Sequence, residues 1–280
     1  MPESGAGAGP VWQVWAVRTA TGGRPARDNY LYPGDRSGEQ AIDFIVFVAA
    51  CGDDVVVIDT GFDRVAGARR GRHLELTAAE AVSATGLDPA AVKTVVLSHL
   101  HYDHAGNVND FPDAQVVLQQ AELEYAAGPA MRHHRLSHFF EAEDVATIVR
   151  RLYAGTVTLL DGDHDLLPGF ELRLVAGHTR GSQIARIRTD RGWIVLACDG
   201  AHYFGNICER NPFPALVDLE QVFDGYERIE DLASSPAHII PGHDPQLFEL
   251  YDRVPNQAGQ VIAALHTTPI GAGERHTGTT

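Results

Sequence analysis

Short apolar runs rich in valine and isoleucine recur along the chain and predict β-strands. Turn-forming sequences such as Gly52-Asp53-Asp54 and Asp190-Arg191-Gly192 separate neighbouring runs, as hairpins require. The predicted strands are Val11–Thr19, Ile42–Ala50, Asp54–Asp59, Thr94–Ser98, Gln115–Leu118, Glu171–Ala176, Ile184–Arg188, Trp193–Ala197 and His238–Ile240.

Helical spacing of apolar residues predicts helices between these strands, at Thr77–Thr85, Ala142–Leu152 and Leu219–Leu232. The first begins with a threonine N-cap followed by Glu80, the pattern of a capping box, and ends at Gly86. Strands in both halves of the chain, interspersed with helices, predict an α+β fold. We expect an αββα sandwich, in which two mixed β-sheets are stacked face to face and flanked by helices.

Three segments fit no regular element: Thr21–Gln40, Gly128–Glu141 and Tyr203–Val217. They are rich in glycine, proline, arginine, aromatic residues or histidine, and long loops of this kind are often functional. The first two are predicted to form walls of a substrate site, with ordinary surface loops as the alternative.

The domain prediction has three parts. Residues 1–10 are rich in glycine and alanine and are expected to form a flexible N-terminal segment. Residues 11–254 are expected to form a single domain, since a chain of this length can bury one large core. Residues 255–280 are polar and rich in glycine and threonine, apart from the apolar stretch Val261–Leu265, and are predicted to be a loosely attached tail.

Composition excludes several partners. A formal net charge of -15 argues against nucleic acid, which is bound through clustered lysine and arginine. No apolar run approaches the roughly 20 residues that span a bilayer, and residues 1–10 lack the features of a signal peptide. Cys51, Cys198 and Cys208 show no disulfide or CxxC spacing. We therefore expect a cytoplasmic protein with neither nucleic acid nor membrane as partner.

The most informative motif is His99-Leu100-His101-Tyr102-Asp103-His104, directly after an apolar strand. In an extended segment alternate residues face the same side, so His99 and His101 can bind one ion while Asp103 and His104 turn away. Imidazole nitrogens with a carboxylate are typical of catalytic rather than structural zinc. The motif predicts a two-metal site more readily than a solvated histidine-rich loop.

Three further candidate ligands each lie just beyond a predicted strand: His178, Asp199 and His243. Strand ends present polar groups at a common edge in α/β scaffolds. Each residue alone is more simply explained as a turn or capping residue. Together with the histidine run they supply seven ligands, enough for two metals that share a carboxylate.

These residues resemble the metallo-β-lactamase superfamily. Its HxHxDH signature is found at His99–His104, its Gly-His-Thr at Gly177–Thr179, its bridging Asp at Asp199 and its final Gly-His at Gly242-His243. The resemblance runs from about Ile42 to His243 and implies the metallo-β-lactamase fold.

The resemblance also implies a ligand set. One metal would be held by His99, His101 and His178, the other by Asp103, His104 and His243, with Asp199 between them. The implied cofactors are two divalent ions, most simply Zn²⁺, with iron, manganese and cobalt as alternatives. The segment Val55–Gly61 resembles the strand and Asp-Thr-Gly turn of the family, in which Asp59 would orient a metal-bound histidine.

Within the superfamily, the bridging Asp199 favours lactonases, glyoxalase II and related hydrolases over β-lactamases. His101, which flavodiiron oxidoreductases replace by glutamate, favours hydrolysis over redox chemistry. The segments Leu159–Phe170, Gln120–Glu122 and Pro241–Asp244 resemble the quorum-quenching N-acyl homoserine lactonases. The predicted substrate is therefore an N-acyl homoserine lactone or a related lactone.

One position departs from that branch. Its members usually place a tyrosine three residues after the bridging Asp, whereas this chain has His202 there and Tyr203 next to it. Either side chain can donate a hydrogen bond to a developing oxyanion, and either can be a packed core residue instead. In the expected mechanism two ions generate a bridging hydroxide that attacks the ester carbonyl, and Asp103 shuttles its proton.

Aromatic residues on the irregular segments are candidates for binding an acyl group, with core packing as the alternative. They are Tyr30, Tyr32, Phe139, Phe140, Phe204 and Phe213. The cluster Arg132–Arg135 is either a subsite for an anionic substrate or, more commonly, a solvated face. The chain is expected to be a monomer or a homodimer.

Two rival functions share the features of this sequence. Thioester hydrolysis of the glyoxalase II type uses the same seven ligands but expects a basic C-terminal region, and Leu247–Thr280 contains only Arg253 and Arg275 and no lysine. A non-catalytic metal-binding module would be expected to have lost ligands, and all seven positions are occupied. The sequence therefore favours a lactone hydrolase.

Overall fold

The computed structural model describes residues 9–256 and 259–270. Most of the predicted N-terminal segment 1–10 and part of the predicted tail, residues 257–258 and 271–280, lie outside the described residues. Across the described part, no helix combines the length and the apolar composition needed to cross a bilayer.

Every predicted strand overlaps an observed one, with ends shifted by a few residues. The strands are β1 Gln13–Pro25, β2 Glu39–Cys51, β3 Asp54–Ile58, β4 Val92–Val96, β5 Gln115–Gln119, β6 Val157–Leu160, β7 His164–Leu167, β8 Phe170–Leu174, β9 Gln183–Thr189, β10 Gly192–Cys198, β11 Ile239–Pro241 and β12 Ile262–Ala264.

The three predicted helices are confirmed, and shorter helices occupy the loops. The α-helices are α1 Arg64–Arg69, α2 Ala78–Ala84, α3 Tyr102–Ala105, α4 Gln120–Ala126, α5 His134–Ser137, α6 Ala142–Tyr153, α7 Phe204–Cys208, α8 Leu219–Leu232 and α9 Leu247–Leu250. Short 3₁₀ turns lie at Ala26–Asn29, Pro89–Ala91, Val108–Asp110, Pro129–Arg132 and Pro236–His238. The capping box of α2 is present, with Thr77 and Glu80 exchanging bonds as predicted.

In the described part of the chain the strands form two mixed sheets. The larger has the order β12-β1-β2-β3-β4-β5-β6 and the smaller β11-β10-β9-β8-β7. Apolar side chains from both sheets, such as Phe47 and Ile58 from one and Phe170 and Leu196 from the other, form the core between them. Helices cover both outer faces, so the predicted αββα sandwich is confirmed.

Strand β1 is longer than predicted, because a β-bulge between Arg18 and Ala20 lets it continue to Pro25. Its partner β2 likewise begins at Glu39 rather than Ile42. The prediction that Thr21–Gln40 is irregular is therefore wrong at both ends. The reason is local composition, since Gly22, Gly23 and Pro25 read as loop residues although the paired strand holds them extended.

The other irregular segments also contain short helices. Gly128–Glu141 includes α5, and Tyr203–Val217 begins with α7. The predicted tail is corrected too, because β12 pairs with β1 and the neighbouring Leu265 is fully buried. A strand of three residues with two alanines, surrounded by polar sequence, carries too weak a periodic signal to be recognised.

Candidate metal centre

The histidine run lies at the end of β4, where its two apolar residues fix it to the core. Leu97 and Leu100 are fully buried, so the backbone between them is held close to the sheet. Helix α3 then begins at Tyr102, which turns Asp103 and His104 away from His99 and His101. A single segment thus presents ligands in two directions, as the spacing predicts.

Asp59 hydrogen-bonds to the start of this segment and to His104. Its carboxylate accepts hydrogen bonds from the Ser98 N–H and hydroxyl, both at 2.7 Å, and lies 2.8 Å from His104 Nδ1. Asp59 has a φ of 60°, a left-handed conformation that aspartate tolerates better than most residues. The Asp-Thr-Gly turn therefore aims a buried carboxylate at His104, where the resemblance places it.

A second buried carboxylate, Glu122, ties the run to the loop that carries His178. Glu122 accepts from the Leu100 N–H at 3.0 Å, from the Thr179 hydroxyl at 2.6 Å and from the Gly181 N–H at 3.1 Å. All its contacts join segments that are distant in sequence. The sequence contained Glu122 within a family-like segment, but nothing in its spacing indicated this role.

Asp199 and His243 follow the neighbouring parallel strands β10 and β11. Gly242 lets these two segments approach closely, because a Cβ there would lie 2.6 Å from the Cys198 carbonyl oxygen. The strand ends therefore bring both side chains to the edge of the sheet at which the histidine run ends.

The two oxygens of Asp199 face different groups of histidines. Oδ2 lies 3.7 Å from His99 Nε2 and 3.2 Å from His178 Nε2. Oδ1 lies 3.3 Å from His104 Nε2 and 3.0 Å from His243 Nε2. Asp199 thus stands between two clusters, as a shared carboxylate would.

Each cluster is tight enough for one ion. Ligand atoms within each group lie within 4.8 Å of one another; the groups are His99, His101, His178 and Asp199, and then Asp103, His104 and His243. A further group on the same criterion is Asp199, His202 and His243. All seven predicted ligands are brought together.

The hydrogen-bond pattern of these side chains fits bound cations. The outer Nδ1 atoms of His178 and His243 lie 2.6 Å and 2.7 Å from the carbonyl oxygens of Ala215 and Asp43. Donation from Nδ1–H leaves the Nε2 lone pair directed at the centre. His104 Nε2 and Asp199 Oδ1 are buried and make no hydrogen bond among the described residues. Such orphaned atoms are costly unless a cation binds them.

The protonation states agree with this arrangement. Burial and neighbouring histidines hold the pKa of His99 and of His101 well below the usual value, so both rings are neutral. Burial acts to raise the pKa of Asp199, but the histidines around it hold that pKa well below its usual range. Burial opposes charge on His104, yet Asp199 and Asp59 raise its pKa, so this position favours positive charge.

A comparison of the sequence with protein-family models matches residues 44–256 to the metallo-β-lactamase superfamily. The chain belongs to this superfamily. The match includes every predicted metal ligand and strands β3 to β11.

Curated relatives of this metallo-β-lactamase superfamily member carry a common name. An N-acyl homoserine lactonase of Bacillus thuringiensis is 28% identical over 161 residues, which cover 57% of this chain and 58% of the relative. The N-acyl homoserine lactonase AttM of Azorhizobium caulinodans is 28% identical over 178 residues, which cover 62% and 66%. The chain thus spans less than two thirds of these relatives.

Solved structures share the fold over most of the chain. A quorum-quenching N-acyl homoserine lactone lactonase superposes with a TM-score of 0.70 at 20% identity, covering 85% of this chain and 94% of the other. AidC, described as a dizinc quorum-quenching lactonase, gives 0.64 at 15% identity, with 85% and 89% covered. These likenesses establish the metallo-β-lactamase fold.

Of the two candidate oxyanion donors in this superfamily member, only His202 faces the centre. Its Nε2 lies 3.0 Å from Asp199 Oδ2, and its ring stacks on Phe213 at 3.7 Å. Burial lowers the pKa of His202 to about 3, so the ring is neutral. Tyr203 is fully buried and its hydroxyl donates to the Ala41 carbonyl at 3.1 Å, which corrects the prediction that it reaches the substrate.

Of the six aromatic candidates for substrate binding, some line the cavity and others do not. Phe139 and Phe213 line the cavity beside the metal ligands. Phe140 packs edge-on against His101 from the core side. The remaining three do not line the cavity: Tyr30 is buried against Tyr203, Tyr32 is exposed, and Phe204 packs against the inter-sheet core.

Sequence reasoning missed several residues of the cavity wall. They are Arg24, Ile42, Phe44, Arg72, Tyr102 and Ala215. Arg24 lies on the part of β1 that was read as loop, and Arg72 follows a short helix that was not predicted. The register of β1 against β2 places Arg24 at the cavity, and the sequence alone does not show that register. The Arg132–Arg135 cluster lies outside this cavity, along an adjoining groove.

Proposed function

We propose that this chain is a dinuclear-metal hydrolase of carboxylic esters that opens the ring of a lactone, either an N-acyl homoserine lactone or a related one. The observation that carries the proposal is Asp199, whose two oxygens face separate histidine clusters inside one cavity. The names of the curated relatives support the choice of a lactone. Thioester hydrolysis is the alternative outcome.

Two divalent ions are proposed as cofactors, with zinc first and iron, manganese or cobalt next. One ion would be held by His99, His101 and His178, and the other by Asp103, His104 and His243, with Asp199 shared. When bound, such a pair lowers the pKa of a shared water and polarises the ester carbonyl.

Three side chains of the protein would transfer the proton, donate a hydrogen bond to the substrate and orient a ligand. Asp103 lines the cavity and is only partly buried, so its carboxylate can accept the proton released from water and pass it to the leaving alkoxide. His202 is neutral and can donate its Nε2–H to Asp199 or to a substrate oxygen. Asp59 keeps the His104 ring oriented through Nδ1.

The shape of the site separates the reacting group from the remainder of the substrate. The cavity at the ligands is about 80 Å³, which suits a small ring but not a long chain. A groove of about 520 Å³ shares Phe139 and Ala215 with it and continues past Leu136 and Pro214. We propose that an acyl group would leave the cavity along this groove.

We also propose a compartment, a set of excluded partners and an oligomeric state. Cys51, Cys198 and Cys208 are free thiols, which suits a reducing, cytoplasmic compartment. The net charge of -15 supports neither a nucleic acid nor an anionic membrane as partner. The oligomer is proposed to be a monomer or a homodimer.

A hydrolysis screen of the metal-loaded protein tests the proposed function. Substrates are lactones of graded acyl length, aryl esters, thioesters and a β-lactam, and the proteins are the wild type, Asp103→Asn and Asp113→Asn. Asp113 is an exposed carboxylate nine residues after His104 that does not line the cavity, and it serves as the matched control. We expect lactone turnover that falls by about 10²-fold or more in Asp103→Asn and is unchanged in Asp113→Asn. Turnover of thioesters alone, or undiminished rates after complete metal removal, would contradict the proposal.

A further inference from the structure

Two arginine side chains, Arg24 and Arg72, line the same cavity as the metal ligands. Arg24 lies near the end of β1, and Arg72 lies between α1 and α2. Both residues are half-buried, and neither forms an ion pair among the residues that the structure describes. A cation withdrawn from water without a carboxylate partner is unfavourable, so its partner is to be sought in the cavity.

Arg24 is placed by an aromatic stack. Its guanidinium lies over the Phe213 ring at 4.9 Å, and that ring stacks on His202 at 3.7 Å. One of its nitrogens donates to the Asp28 carbonyl oxygen at 2.8 Å. An arginine carries five N–H donors, so most of them stay available for a ligand.

Arg72 is placed in a parallel way. Its guanidinium lies over the Phe44 ring at 5.4 Å, and that ring meets the edge of His243 at 5.6 Å. Gly22 on β1 leaves room for it, because a Cβ at that position would lie 2.0 Å from Arg72 Nη1. Gly22 therefore lies at the point where the Arg72 guanidinium passes over β1, and a larger residue there would clash with it.

The two cations are near enough to oppose each other. Burial lowers the pKa of Arg24; the neighbouring Tyr203 and Asp28 act to raise it, and the charge of Arg72 acts to lower it. They belong to no general basic surface, since the chain carries 37 acidic residues against 22 lysines and arginines. Cation–π contacts offset part of the cost of this placement. Two like charges held together at a cavity wall are a common way to bind an anion.

Tyr102 adds a neutral donor to the same wall. The Arg70 guanidinium lies over its ring at 3.9 Å and is itself paired with Glu141, which holds the ring in place.

We propose that Arg24 and Arg72 form an anion subsite and that the substrate is a lactone or ester bearing a carboxylate. This inference rests on the proposed hydrolase function and narrows it. The carboxylate would be bound between the two guanidinium groups, on the side of the cavity where Phe44 and Phe213 separate them from His243 and His202. An uncharged lactone would leave both cations without an anionic partner.

The kinetic test compares γ-butyrolactone-γ-carboxylate with its γ-carboxamide, a pair that differs in charge but little in size. The metal-loaded wild type is expected to prefer the carboxylate in kcat/KM by about tenfold to hundredfold. Arg24→Gln and Arg72→Gln should each lose most of that preference, measured as the ratio of the kcat/KM values for the two lactones. Arg72→Lys should retain part of it, because the charge remains and the paired donors do not.

The control is Arg69→Gln, which removes an exposed positive charge outside the cavity. Its preference should equal that of the wild type. If Arg24 and Arg72 serve only to hold Phe213 and Phe44, their variants would lower the rates on both lactones equally, and the inference would be wrong. Equal wild-type rates on the two lactones would overturn it as well.

A binding measurement separates this inference from the proposed function. Calorimetric titration with tetrahydrofuran-α-carboxylate and its carboxamide, neither of which contains a lactone ring, needs no turnover. Stronger binding of the carboxylate that is lost in the Arg24→Gln/Arg72→Gln double variant supports the subsite even if no lactone is opened. A carboxylate preference that survives in the double variant belongs to the metal ions and refutes the subsite.

Discussion

At the scale of single residues, three imidazoles of the centre are oriented by what their outer nitrogen contacts. For His104 the partner is the Asp59 carboxylate, for His178 and His243 it is a backbone carbonyl. Asp59 differs from the carbonyls because it also adds charge and accepts two hydrogen bonds from Ser98. It therefore fixes both the tautomer of His104 and the position of the histidine run.

Asp59→Asn is expected to weaken one metal site selectively. Asparagine tolerates the left-handed backbone of this position, but its amide N–H₂ facing His104 would favour a proton on Nε2 and block that ligand. We expect about 10- to 100-fold weaker binding at the site that includes His104. Titration with Co²⁺, followed by visible absorption, measures both sites, with Asp113→Asn as the control. Equal weakening of the two sites, or of neither, would contradict this role.

At this scale the sequence predicted the candidate ligands that the structure brings together, but not the residues around them. His99–His104, His178, Asp199 and His243 each follow a strand, so strand prediction and residue type suffice to place them together. His202 faces the cavity and Tyr203 faces the core because of the way the backbone turns after Asp199. Adjacent residues there point to the cavity and to the core, and no pattern of hydrophobicity distinguishes them.

At the scale of elements, strand β1 and helix α6 show what periodicity can and cannot predict. The amphipathic pattern of α6 predicts its bounds to within one residue. In the second half of β1, Gly22, Gly23 and Pro25 indicate a loop, so the sequence does not predict the strand that carries Arg24. Hydrogen bonds to β2, rather than local propensity, hold that half extended.

Helix α6 also contains an acid that opposes folding at high pH. Asp144 in its first turn is 7% exposed, and Oδ2 has no hydrogen-bond partner among the described residues. Burial, with the charges of Asp63 and Glu141, raises the pKa of Asp144 to about 7. In the unfolded chain the pKa is near 4, so between these values the native state holds a proton that the unfolded state releases. The unfolding free energy therefore falls as pH rises from about 4 to about 7, and the loss persists above.

Asp144→Asn should remove this pH dependence, because its side chain is neutral at every pH. Relative to wild type, the variant is expected to gain on the order of 1 to 3 kcal/mol at pH 8, and little at about pH 4. Urea unfolding at both pH values measures the difference. Glu143→Gln is the matched control, since Glu143 lies in the same turn and is exposed. A stability difference that does not change with pH would refute the assignment.

At the scale of the whole molecule, the centre exists because four separate regions meet at one edge of the sandwich. The histidine run follows β4, His178 follows β8, Asp199 follows β10 and His243 follows β11. Glu122 joins the histidine run to the loop of His178, and Asp59 fixes the run to the end of β3. Strand positions and candidate ligands could be predicted from the sequence, whereas the cavity wall depends on long-range register and packing, which one sequence does not show.

The most direct test of the account is a crystal structure of the protein grown with zinc, with the ions located by anomalous diffraction. We expect two ions, each at about 2.0–2.2 Å from its histidine nitrogens. His99, His101 and His178 should bind one, Asp103, His104 and His243 the other, and each ion should take one oxygen of Asp199. A single ion, or one bound by His202 together with Asp199 and His243, would contradict the two-metal centre.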